Sequence, residues 1–252
     1  MTKKINVTVW NEEEDNQSAY PEGIHNAIAA FLKTDQQIGR LSIATLDQPE
    51  HGLPQELLDD TDVLLWWGHL RHDLVEDEIV HRVRDRVLHG MGLIVLHSAH
   101  ASKIFQMLLG THTQRLRWRE ANERERIWVI DHNHPITAGL GEYIELPKSE
   151  TYGEHFNIPT PDELIFISWF EGGEVFRSGC TFKRGNGKIF YFAPGHEEYR
   201  IYDMPPIQRI IKNAIGWVAP VRYPEVAFHH HPKSPEDIYR ETYSESVLDS
   251  LV

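Results

Sequence analysis

Residues 5–10, Ile-Asn-Val-Thr-Val-Trp, alternate apolar and polar side chains and give way to the acidic run Asn11-Glu12-Glu13-Glu14-Asp15. The chain is therefore expected to open on a strand followed by a polar loop. Pro21 followed by Ile24, Ala27, Ile28, Phe31 and Leu32 at helical spacing predicts the first crossover helix. Residues 41–45 read as a second short strand, and 47–54, with two prolines and a glycine, as a loop. Two apolar runs without alternation come next: 62–67, which stops at Gly68-His69, and 93–96, which stops at His97. Such runs mark strands buried on both faces, as in a parallel sheet covered by helices. Between them Val75, Ile79, Val80, Val83 and Val87 share one helical face closed by Gly90, and 104–109 predicts a short helix closed by Gly110. This is the order of a doubly wound α/β fold.

Beyond Gly110 the pattern shifts to shorter extended pieces. Residues 113–118 and 126–130 are expected to form a hairpin around a charged turn at 121–124, and 146–155 reads as a polar, aromatic loop. Strands are expected near 164–169, 175–183 and 188–192, the last two joined by the turn Arg184-Gly185-Asn186-Gly187. A helix with Ile207, Ile210, Ile211, Ala214, Ile215 and Val218 on its apolar side closes a single α/β domain over 1–219. From residue 220 the composition turns to His229–His231, prolines, acids and serines, an extended tail over 220–252.

Composition narrows the class of partner. A formal charge of -13 argues against nucleic acid, whose phosphates require clustered Lys and Arg. One cysteine, Cys180, excludes an internal disulfide framework; no segment has the length of a membrane span, and no apolar leader precedes the first strand. A cytoplasmic protein is expected, forming a homo-oligomer, with no membrane or nucleic-acid partner.

The sixteen histidines matter through their placement, because three of them, His69, His97 and His196, follow apolar strands. If the last strand joins the sheet in parallel, all three face one crevice outside the carboxyl ends of the strands, where open α/β sheets keep their ligands. Imidazole at a strand end can ligate a divalent metal such as zinc or shuttle a proton; the competing explanation is that each caps a loop through a backbone carbonyl. His69, His97 and His196 are thus candidate metal ligands, and His97 and His196, with Glu154, candidate catalytic groups. Glu12, Glu150, Trp67 and Tyr152 are candidate substrate contacts; Trp10 and Trp66 add aromatic faces on which a sugar could stack. Ser98 follows its strand as a nucleophile would, but lacks the Gly-x-Ser-x-Gly setting. Cys180, inside an extended run, reads as a small buried residue, and His72, His81 and His89 as solvated. His229–His231 could hold nickel or zinc adventitiously.

Four stretches together resemble the trehalose-utilisation, or ThuA-like, family: Leu93-Ile94-Val95-Leu96-His97-Ser98; His134-Pro135-Ile136 followed by Gly139-Leu140; Glu150-Thr151-Tyr152; and the run from Gly187 to His196. The resemblance implies a flavodoxin-like, class I glutamine amidotransferase-like sheet, mostly parallel and flanked by helices, here with extra β-hairpins. In the amidotransferases a cysteine follows the central strand; this chain has His97-Ser98 there, so no thiolate is available and glutamine hydrolysis is not expected. The family's link to disaccharide catabolism implies a small sugar or keto-sugar as partner and no nucleotide cofactor. Two functions remain open: an enzyme using His and Glu acid–base or metal-assisted chemistry, and a non-catalytic sugar-sensing or partner-binding protein.

Overall fold

The computed structural model describes residues 4–13 and 19–221; Glu14, Asp15 and the tail with His229–His231 lie outside the described residues. Among the described residues nine strands form one sheet in the order β2-β1-β3-β4-β9-β8-β7-β5-β6. They are β1 (Ile5–Asn11), β2 (Ile38–Thr45), β3 (Val63–Trp67), β4 (Gly92–Leu96), β5 (Arg117–Val129), β6 (Tyr143–Gly153), β7 (Glu163–Phe170), β8 (Val175–Arg184) and β9 (Gly187–Phe192). Five α-helices accompany them among the described residues: α1 (Ile24–Leu32), α2 (Gln55–Asp60), α3 (Asp77–Leu88), α4 (Lys103–Leu109) and α5 (Pro205–Val218). None is long and apolar enough to cross a membrane.

The apolar runs do what their lack of alternation implies. In β3, Val63, Leu65 and Trp67 pack with α1 and α5 while Leu64 and Trp66 pack with α2 and α3; in β4, Ile94 and Leu96 face the first layer and Leu93 and Val95 the second. Each such side chain taken fully out of water contributes roughly 1.5–3 kcal/mol, so both helical layers are held by the same two strands.

The expectation of a mostly parallel sheet is corrected. Pairing is parallel from β2 through β1, β3 and β4 to β9, and antiparallel from β9 through β8, β7 and β5 to β6. A parallel neighbour needs a crossover, usually a helix. Between α4 and α5 the chain has no α-helix, and the strands of this stretch pair antiparallel with one another, β9 alone pairing also in parallel, with β4.

Two further expectations fail in this half. The hairpin around 121–124 is instead one thirteen-residue strand, β5, whose register with β6 shifts between Arg119 and Glu125. The polar loop at 146–155 is largely strand β6. Several charged residues of these strands find lateral partners: Arg119 bonds Glu123 and Glu174, and Arg126 bonds Glu145 at 2.6 Å. Glu125 is buried and accepts hydrogen bonds from Ser149 and Ser168; burial pushes its carboxyl up to about 7. Trp10 and Trp66, expected as sugar-stacking faces, stack on each other at 3.9 Å inside the core.

Candidate functional site

Parallel pairing brings the carboxyl ends of β3, β4 and β9 side by side: Trp67 lies opposite Leu96, and Leu96 opposite Phe192. His69, His97 and His196 follow these ends, so the conditional step in the sequence argument holds and the three imidazoles meet. Their ring centroids are 5.8 Å (His69–His97), 5.4 Å (His69–His196) and 5.4 Å (His97–His196) apart.

His97 sits at the turn out of β4 with φ 55°, a left-handed conformation that costs a residue with a side chain about 1–2 kcal/mol. Its surroundings hold it there. The ring lies between Trp67 (6.4 Å, 18°) and Tyr152 (5.6 Å, 10°), and Nδ1 donates to the Ala193 carbonyl at 3.1 Å. That bond fixes the tautomer and leaves the Nε2 lone pair turned to the other imidazoles. The Trp67 indole donates to the Gly195 carbonyl at 3.1 Å. Gly195 has φ 146°, and a Cβ there would lie 3.2 Å from the His97 Cβ and collide with the Tyr202 hydroxyl, so only glycine fits behind His97.

His69 is placed by Glu12. This buried carboxylate accepts the backbone N–H groups of His69 (2.5 Å), Leu70 and Arg71 (3.2 Å), and a Cβ on Gly68 would come within 2.9 Å of it. His69 Nδ1 then lies 3.0 Å from Glu197 Oε1, and the other Glu197 oxygen lies 3.7 Å from His196 Nδ1. From the antiparallel half, β6 brings Glu150 Oε2 to 3.3 Å from His97 Nε2, and β5 brings Glu120 Oε1 to 3.8 Å from His196 Nε2. Tyr152, two residues beyond Glu150, shares a 2.7 Å hydrogen bond with Ser98.

Burial shapes the charges. It holds His97 well below the usual imidazole range, with His196 and His69 adding repulsion, and it lowers His196 against the pull of Glu197. For His69 burial opposes the charged ring, but contact with Glu197, aided by Glu150 and Glu12, prevails and its pKa rises. Burial pushes Glu150 up to about 8. His97 Nε2, His196 Nε2, Glu150 Oε2 and Glu197 Oε2 are buried without a hydrogen-bond partner among the described residues, a costly state for polar atoms that a ligand would relieve. Ligand atoms of His69, His97, His196 and Glu197 lie within 4.8 Å of one another, so these four could hold a metal ion.

Of the residues singled out by sequence, His69, His97, His196, Glu150, Tyr152 and Trp67 come together, Trp67 and Tyr152 as walls around His97. Glu12 stands behind His69 as the anchor of its loop. Glu154 lies elsewhere, in an ion pair with Arg177 at 2.8 Å and accepting the Phe156 N–H at 2.7 Å. His72, expected to be solvated, is buried beside Glu12, and burial lowers its pKa to about 4; His81 and His89 are exposed as expected. Glu197 joins the cluster without having been singled out as a ligand, although its adjacency to His196 is a usable signal in the sequence. Glu120 carried no signal, since only the strand pairing of β5 brings it to the site.

The fold recurs in solved structures at low identity. A ThuA-like protein of Parabacteroides merdae is 14% identical, with a TM-score of 0.65 over 88% of this chain and 94% of that one. A cytoplasmic protein of Salmonella typhimurium LT2 is 12% identical, with a TM-score of 0.58 over 85% of this chain and 100% of that one. A β-galactosidase of Bacillus circulans is 13% identical, with a TM-score of 0.53 over 86% of this chain but 32% of that one. No curated protein matches the chain by sequence. The model of the ThuA family, described as trehalose utilisation, matches residues 6–218, and the chain belongs to that family.

Proposed function

We propose that this chain is a cytoplasmic enzyme of carbohydrate utilisation that acts on a sugar or keto-sugar at the His69, His97, His196 and Glu197 cluster, with a divalent metal such as zinc held there. The convergence of these four donors within 4.8 Å, several of them buried and unpartnered, carries the proposal. Three imidazoles and a carboxylate form a donor set that suits zinc, and neutral His97 with a bare Nε2 is ready to ligate. A bound ion would polarise a sugar carbonyl or hydroxyl.

The remaining work falls to the chain's own residues. Glu150, 3.3 Å from His97 Nε2, is placed to move a proton to or from a substrate in the crevice. Tyr152 and Trp67 keep the His97 ring in one plane, and the buried walls exclude water. Proton movement beside a polarised carbonyl suits isomerisation or elimination. The sugar class is supported by the family's description as trehalose utilisation, and the cytoplasmic placement by the name of the Salmonella neighbour.

The test is turnover of a panel of keto-glycosides by the unaltered protein, His97→Ala and Glu150→Gln. Both substitutions are expected to lower turnover by about a hundredfold or more. Undiminished turnover in both variants would overturn the assignment, and sugar that binds without being altered would establish a sensing protein instead.

A further inference from the structure

We infer that the mouth of the histidine cluster carries a second sugar subsite built on Trp118 and Glu120 of β5, so that the site takes an uncharged two-ring glycoside rather than a free or phosphorylated monosaccharide. This rests on the cluster being a sugar site.

Trp118 is 64% exposed, the most exposed of the described tryptophans. The β5–β6 register sets it opposite Tyr152, and directly opposed residues of an antiparallel pair project to the same side. Tyr152 is the ring stacked on His97. Two residues further along β5 the alternation returns to that side with Glu120, half exposed, whose carboxylate lies 3.8 Å from His196 Nε2. This part of β5 is fastened over the opening: Asn122, with φ 54° in the register shift, accepts a 3.1 Å hydrogen bond from the Tyr199 hydroxyl, and the Tyr199 ring is 5.4 Å from that of His196.

An indole face and a carboxylate side by side match a pyranose, which has an apolar C–H face and a rim of hydroxyls. The reacting ring would occupy the cluster and the second ring would lie on Trp118, with Glu120 accepting from its hydroxyls. Charge selects further. At the second ring a phosphate would meet the Glu120 carboxylate, while the neighbouring guanidinium of Arg119 is occupied by Glu123 and Glu174.

Calorimetric titration with trehalose, methyl α-glucoside and trehalose 6-phosphate tests the subsite in the unaltered protein, Trp118→Ala, Trp118→Phe and Glu120→Gln. Trehalose is expected to bind about tenfold more tightly than methyl α-glucoside, equivalent to about 1.4 kcal/mol. Trp118→Ala is expected to erase that margin, Trp118→Phe to keep most of it, and Glu120→Gln to weaken trehalose selectively. Equal or absent binding of the two neutral sugars, a margin that survives Trp118→Ala, or tighter binding of the phosphorylated sugar would overturn the subsite. Failure of the cluster reading is separable: it would appear as missing metal and missing turnover, with the Trp118-dependent margin still present.

Discussion

In the parallel half of the sheet, β3, β4 and β9 end side by side and each leads an imidazole into one crevice; in the antiparallel half, β6 and β5 cross the opening and supply Glu150 and Glu120. The two halves place their groups by different means. The imidazoles follow strand ends and are fixed by what lies behind them: the Ala193 carbonyl and Gly195 for His97, the Glu12 carboxylate for His69. The carboxylates lie within strands, and cross-strand register decides which of them reach the site. Glu150 and Glu154 show the consequence. Four residues apart, one faces His97 and the other, just past the end of β6, is taken by Arg177.

The sharpest way to break the division is to disturb a strand end. Gly195→Ala forces a Cβ against His97 and Tyr202, and the expected result is a loss of about 2–4 kcal/mol of stability with at least about a hundredfold lower turnover. Chemical denaturation and steady-state kinetics check both. Next in size is Glu12→Ala, which strips the acceptor from the N–H groups of His69, Leu70 and Arg71. A destabilisation of about 3 kcal/mol is expected, measured as a lower Tm with metal affinity falling alongside.

The antiparallel half has its own signature in pH. Glu125, raised to about 7 from an ordinary 4.5, is protonated in both folded and unfolded chains at low pH. As pH rises past 4.5 the unfolded chain ionises first, so Glu125 makes stability fall until about pH 7. Glu125→Gln removes that slope and should leave the protein up to about 3 kcal/mol more stable at pH 8, with little difference at pH 4. Urea denaturation across this range reads it, and a variant no more stable than the unaltered protein at pH 8 would contradict it. The smallest effect expected is that of Glu154→Gln: loss of the Arg177 pair should cost about 1 kcal/mol or less and leave turnover unchanged, whereas a turnover loss as large as that of Glu150→Gln would put Glu154 back in the chemistry.

The parallel half was legible in the sequence because burial on both faces leaves a plain mark, as in Leu93 to Leu96, and because a strand end is a fixed address for His97. The placement of His196 needed one more condition, parallel pairing of β9 with β4, which holds. The antiparallel half was hidden by its charges. The charged stretch 121–124 reads as a turn when each residue is weighed alone, whereas in the sheet Glu123 and its neighbours Arg119 and Glu125 are matched by residues distant in sequence, Thr151, Glu174 and Ser168. For the same reason Glu150 and Glu154 cannot be told apart in a stretch that reads as loop, and His72 reads as solvated because nothing local shows that the loop after β3 folds over it.

The central claim, that three strand-end histidines and Glu197 form one metal-binding cluster, is tested most directly by elemental analysis of protein purified without a metal-affinity step, beside His97→Ala and His196→Ala. The expected result is about one divalent ion per chain in the unaltered protein and loss of it in both variants. No metal in the unaltered protein, or metal that persists in both variants, would contradict the claim.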